Sequence, residues 1–111
     1  MEYIAPHSKE AEEAVLGCML LDIDSVILAS ERLVAEDFFV HKNKAIFAAM
    51  MSLFEDNVNI DLITLVNYLE TKGELKGVGG DSYVASLGSS MVTTANIDEY
   101  IEIVKEKSTL R

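Results

Sequence analysis

The sequence predicts an all-α fold, a compact bundle of about five to six short helices around a central buried helix at residues 42–54. Three observations predict it. Apolar residues recur at three- and four-residue spacing, with no sustained alternation of the kind a half-buried strand needs. Caps or glycines punctuate most of these stretches. The only proline, Pro6, precedes the first of them, so no helix is broken from within.

Ser8 is a natural N-cap for a helix over about Lys9–Leu21, and Glu10, Glu12 and Glu13 suit its positive end. Ala11, Ala14, Val15, Cys18 and Leu21 recur along it at helical spacing. Gly17 costs about 1 kcal/mol relative to alanine inside a helix, and a close crossing by a neighbouring backbone would explain it. Asp22 or Asp24 can cap a second helix over about Ser25–Leu33, whose apolar residues are Val26, Ile27, Leu28 and Leu33. Ala35–Phe39 reads as a turn or one-turn helix anchored by Phe38 and Phe39.

The central stretch, Lys42–Phe54, has two unequal sides on a helical wheel. Leu53, Ile46, Met50, Phe54, Phe47 and Met51 fill an arc of roughly 160°, wider than an ordinary surface stripe. Ala45, Ala48, Ala49 and Ser52 fill the opposite arc. Burial of both arcs, with a second backbone against the small side, is the expectation; simple exposure of a good helix former is the alternative.

Glu55–Ile60 reads as a polar connection. Asp61 then caps a helix whose inward stripe is Leu62, Leu65 and Leu69, and Gly73 suits the left-handed position past its end. Glu74–Gly80 reads as a glycine loop, and Tyr83, Val84 and Leu87 mark a short helix over about Asp81–Leu87 stopped by Gly88. After a second polar loop, Ser89–Thr94, the last helix starts near Asn96, with Glu99 at capping-box spacing. Ile97, Tyr100, Ile101 and Val104 form its inward stripe, and Lys105 and Lys107 suit its negative pole. The expected core is therefore Val15, Cys18, Ile46, Phe47, Met50, Leu53, Phe54, Leu65, Leu69, Tyr83, Leu87, Ile97, Ile101 and Val104. The end at Arg111 carries no cap signal; a cut within a longer protein is the expectation, and a helix fraying at a natural terminus the alternative.

With 111 residues, half of them apolar, the chain is one domain with enough material for a real core. No apolar run approaches the roughly 18 residues of a membrane span. MEYIAPHSKE lacks the pattern of a secretory signal, so a cytoplasmic location is expected. The single cysteine, Cys18, allows no internal disulfide and reads as a small core hydrophobe. The net charge is −10, with nine scattered lysines and arginines. Nucleic-acid binding rests on cations that displace counterions from phosphates, so little direct binding is expected; protein partners fit better.

No catalytic, cofactor or metal site is legible. Gly77-Val78-Gly79-Gly80 lacks the lysine and preceding strand of a phosphate loop and reads as a turn. Asp22, Asp24 and Glu31 lack the central glycine of a calcium loop, and His7, His41 and Cys18 are too scattered for zinc. The carboxylates are expected on solvated faces. Ile103 and Leu110 lie off the inward stripe of the last helix and share a side with Lys107. Such a pair marks a partner surface or consists of two ordinary exposed side chains; the sequence leaves both open.

Several ordered groups carry a resemblance. They are Pro6-His7-Ser8, Glu10-Ala11-Glu12, Val15-Leu16-Gly17, Asp37-Phe38-Phe39, Ile46-Phe47, Asp61 to Leu65, Leu69, Gly73, Gly79-Gly80, Tyr83, Leu87, Ala95-Asn96-Ile97, Tyr100 and Ile103-Val104. Each is weak alone, but in this order and at these gaps they span nearly the whole chain. The chain resembles the N-terminal domain of bacterial DnaB-type replicative DNA helicases. One departure is Asn43, where the family often has histidine, which puts in doubt any hydrogen bond of that imidazole. The resemblance implies a hexameric parent that uses ATP and magnesium to unwind DNA. Its ATPase domain and a subunit-pairing helical hairpin would lie C-terminal to residues 1–111, outside this chain. The domain itself would be non-catalytic and cofactor-free. It would contribute to a collar through self-association, dock primase, and in some bacteria meet a helicase loader. Two rivals are the helicase-binding domain of a primase, against which the Pro6–Gly17 stretch near a chain start argues, and an unrelated acidic all-α interaction module.

Overall fold

Six helices form among the described residues, and their ends follow local chemistry. The computed structural model describes residues 3–111; Met1 and Glu2, the first residues of the stretch read for a secretory pattern, lie outside the described residues. The helices are α1 (Lys9–Leu21), α2 (Ile23–Arg32), α3 (His41–Glu55), α4 (Leu62–Thr71), α5 (Gly80–Ser89) and α6 (Ile97–Leu110). Short 3-10 turns occupy Ala35–Asp37 and Lys76–Val78, and no strand occurs among the described residues.

Ser8 caps α1 by accepting the Ala11 N–H at 3.2 Å. Asp22, rather than Asp24, caps α2 by accepting the Asp24 N–H, so this helix begins two residues earlier than expected. At α4, Asp61 and Thr64 exchange side-chain to backbone bonds of 2.8 and 3.0 Å, a reciprocal capping box. Gly73 follows α4 at φ +72°, and the Gly73 and Glu74 N–H groups close on Glu70 and Leu69 carbonyls. The end of α3 repeats this geometry with Asn57, at φ +60°, in place of glycine. Asparagine tolerates the left-handed region better than most residues, so the polar connection after Phe54 is a defined helix stop.

α1 packs against α2, α3, α5 and α6. Gly17 permits the closest of these approaches. A Cβ there would run into the Leu87 carbonyl oxygen and lie 2.5 Å from Met91 Cγ, so the close crossing expected for this glycine is real. α3 meets α1, α4 and both 3-10 turns. Its broad side is buried through Ile46, Phe47, Met50 and Leu53, and Phe47 stacks on Phe38 with ring centroids 4.7 Å apart. The small side is closed only in part. Ala49 is buried, Ala45 and Ser52 are half-buried, and Ala48 is exposed. The centre of the bundle is thus shared between α3 and α1.

Other expectations need correction. Phe54 and Tyr83 are half-buried at the edge of the core, whereas the remaining expected core residues are buried. Phe39 is 41% exposed and stacks on His7 at the entry to α1. Leu21 is exposed and Ala14 half-buried, while Leu16 and Met19 are buried: the apolar arc of α1 is rotated toward them. Leu62 lies outside the inward stripe of α4. Gly88 does not stop α5, which runs on to Ser89; Leu20 packs 3.6 Å from where a Cβ on Gly88 would sit. Asn96 makes no side-chain capping bond, so the Asn96–Glu99 capping box does not form.

Candidate protein-interaction surface

The interior is closed by polar contacts as well as by apolar packing. Glu12 lies on the buried arc of α1 with Val15, Leu16 and Met19, and is 1% exposed. Its carboxylate accepts the Phe39 N–H at 2.7 Å, the Val40 N–H at 3.2 Å and the Asn43 amide at 3.1 Å. These donors surround the start of α3, whose N-cap, Val40, has no side-chain acceptor. Charge from α1 therefore stabilises the positive pole of α3. Asn43, completely buried, also accepts the Tyr83 hydroxyl at 2.5 Å, which ties α3 to α5. The Asn43 amide thus both donates, to Glu12, and accepts, from Tyr83. Burial and the nearby Glu13 carboxylate push the Tyr83 phenol well above its ordinary range. Burial, with Asp22 adding to it, likewise raises the Cys18 thiol, which stays protonated and inert.

A second polar lock holds α6. Asp37 accepts the Val34 N–H at 2.8 Å and the Ser108 hydroxyl at 2.7 Å, and Lys105 pairs with it at 3.4 Å. Burial alone would raise the Asp37 carboxyl, but these three donors outweigh it and hold the group below its usual range. Arg111 donates to the Asp37 and Pro6 carbonyls at 2.7 and 3.0 Å. Arg32 bridges α2 to α6 through Glu102 at 2.6 Å and Asp98 at 3.4 Å. The expectation that the carboxylates all lie on solvated faces fails at Glu12 and Asp37, where backbone and side-chain donors converge.

With its inner face and C-terminal turn fixed, α6 presents an outer face. Ile103 is 38% and Leu110 63% exposed, and both line a shallow groove of about 330 Å³ with Glu102, Lys105, Glu106 and Thr109. Lys107 is half-buried, lies 3.9 Å from Glu106 and does not line this groove. A larger groove, of about 580 Å³, runs between α4 and α5. Leu62, Ile63, Val66 and Ala85 supply its apolar wall, and Asn67, Glu70, Asp81 and Ser82 the rest. Sequence reasoning missed it because it turned Leu62 inward; the run Leu62-Ile63 at the start of α4 was the available signal. Among the described residues no three His, Cys, Asp or Glu side chains are grouped to hold a metal ion, and no helix is long and apolar enough to cross a membrane. On both grooves acids flank small apolar areas.

The model of the family described as DnaB-like helicase N terminal domain matches residues 4–106. The chain belongs to this family. The replicative DNA helicase DnaB of Geobacillus stearothermophilus is 41% identical over 110 residues, 99% of this chain but 24% of that protein. The replicative DNA helicase DnaC of Bacillus subtilis is 40% identical over 108 residues, 97% of this chain and 24% of that protein. The chain thus spans about a quarter of the length of these curated relatives. The crystal structure of the N-terminal domain of DnaB helicase from Mycobacterium tuberculosis superposes with a TM-score of 0.92 at 34% identity, covering 97% of this chain and 78% of that one. The all-α fold is therefore that of the DnaB N-terminal domain. Membership sets aside the two rival readings, a primase domain and an unrelated acidic module.

Proposed function

We propose that this DnaB-family domain is the non-catalytic collar of a hexameric, ATP-dependent replicative helicase. It joins neighbouring copies in the ring and docks primase, and it can receive a helicase loader. Ile103 and Leu110, with Lys107 beside them, form its partner surface. ATP and magnesium belong to the parent's ATPase domain; this domain takes no cofactor and works in the cytoplasm. Its charge of −10 supports protein recognition over a grip on DNA.

The observation that carries this reading is the contrast between the two sides of α6. One side is buried and tied by Asp37 and Arg32, while the other exposes an apolar pair one heptad apart. Rigid placement of exposed apolar side chains suits recognition, because little order remains to be imposed on binding. Sedimentation velocity of the purified domain, alone and with a primase C-terminal domain, tests it. A faster-sedimenting complex, with no ATP turnover by the domain, is expected. Independent sedimentation of the two proteins, or ATP hydrolysis above a contamination control, would overturn the reading.

A further inference from the structure

The α4–α5 groove is built differently from the outer face of α6. It is polarised along its length. Leu62 and Ile63 stand at the start of α4, and Ile63 is 80% exposed. Glu70 stands in the last turn of α4, and Asp81 in the first turn of α5. No lysine or arginine lines the groove, and neither Glu70 nor Asp81 has an ion-pair partner among the described residues. From Ile63 to Glu70 is two helical turns, about 10 Å along the axis.

We infer that this groove seats an amphipathic helix of a partner protein, with an apolar anchor against Ile63 and Val66 and a lysine or arginine two turns away, between Glu70 and Asp81. A trough between two helices accepts a third by side-chain anchors at i, i+3, i+4 and i+7. The anchor and the cation would then stand at i and i+7, the same spacing as their two receptors. The charge pattern selects a basic segment, since an acidic one would bring like charges against the unpaired carboxylates. A second copy of this chain, with 19 acids against nine lysines and arginines, is the competing occupant that the test distinguishes. This inference rests on the reading of the domain as a docking module but uses a surface separate from Ile103 and Leu110.

Three synthetic helix-forming peptides test it. They share a leucine anchor and carry arginine, glutamine or glutamate seven residues on. Each is titrated into the isotope-labelled domain and followed by amide shifts. The arginine peptide should bind best and the glutamate peptide worst, with shifts at Ile63, Val66 and Ala85. Ile63→Asp should weaken the arginine peptide about tenfold or more, as expected for loss of an apolar anchor. Glu70→Lys should weaken it about three- to fivefold. Both variants should stay folded, since an acid in the first turn of α4 and a base in its last turn suit the helix dipole. Equal binding of the three peptides, shifts confined elsewhere, or concentration-dependent shifts of the groove without peptide, which would make a second copy its occupant, would each overturn the inference. Loss of the groove with primase binding through α6 intact would leave the proposed function standing.

Discussion

Glu12 and Glu70 carry the same functional group and serve opposite ends. At Glu12, two backbone N–H groups and an amide converge on a buried carboxylate, and the charge fastens α1 to α3. Asp37 repeats the pattern between the Ala35–Asp37 turn and α6. Glu70 has no ion-pair partner among the described residues, and it lines an open groove. In an acidic chain, then, the same residue type is internal cement where donors converge and stays exposed where they do not, which is where a recognition role is proposed for it. The contrast follows from the cost of burial: a buried carboxylate is tolerated only with its hydrogen bonds made, whereas an exposed one constrains little.

Substitutions can break or sharpen that contrast, and the interior should respond most. Phe47→Ala should cost about 3–5 kcal/mol, because Phe47 is buried against Phe38 and its loss leaves a cavity. Chemical denaturation will measure it, and a melting shift of only a degree or two would place Phe47 at the surface. Glu12→Gln should come next, at about 1–3 kcal/mol, since it replaces a charged acceptor facing three donors with a neutral amide.

Asp37 should declare itself in acid. Its native carboxyl is held below the usual range, so the stabilisation it gives is complete above the unfolded value of about 4 and is lost as pH falls through the lower native value. Asp37→Asn should flatten the acid limb of the stability curve and leave little further pH dependence from this site. Glu70→Lys, at the other extreme, should change stability by less than about 0.5 kcal/mol.

Most of the secondary structure was legible because its causes are local. Ser8, Asp61 and Gly73 act within a few residues of themselves, and the sequence places their helix ends well. Gly17 was legible as a question, and α5 supplied the answer. What stayed hidden depends on partners remote in the chain. Nothing near Glu12 announces that the Phe39 and Val40 N–H groups will meet it, though an acid in register with Val15, Leu16 and Met19 was a usable hint. Ala48 is exposed, which an alanine-rich face cannot reveal. Asn96 and Gly88 had the right residue types for helix ends and the wrong surroundings. Of the proposed partner surface, the exposed pair on α6 could be read from periodicity. At the α4–α5 groove only the Leu62-Ile63 run was visible in the sequence, because the groove's shape exists only once α5 lies beside α4.

The most direct test of a fastened interior that presents a recognising exterior is a calorimetric titration of primase C-terminal domain into Ile103→Asp. An unchanged melting curve is expected, with binding weakened by about tenfold or more, the loss expected for one apolar contact replaced by a charge. Parent-like affinity in a normally folded Ile103→Asp domain would contradict it.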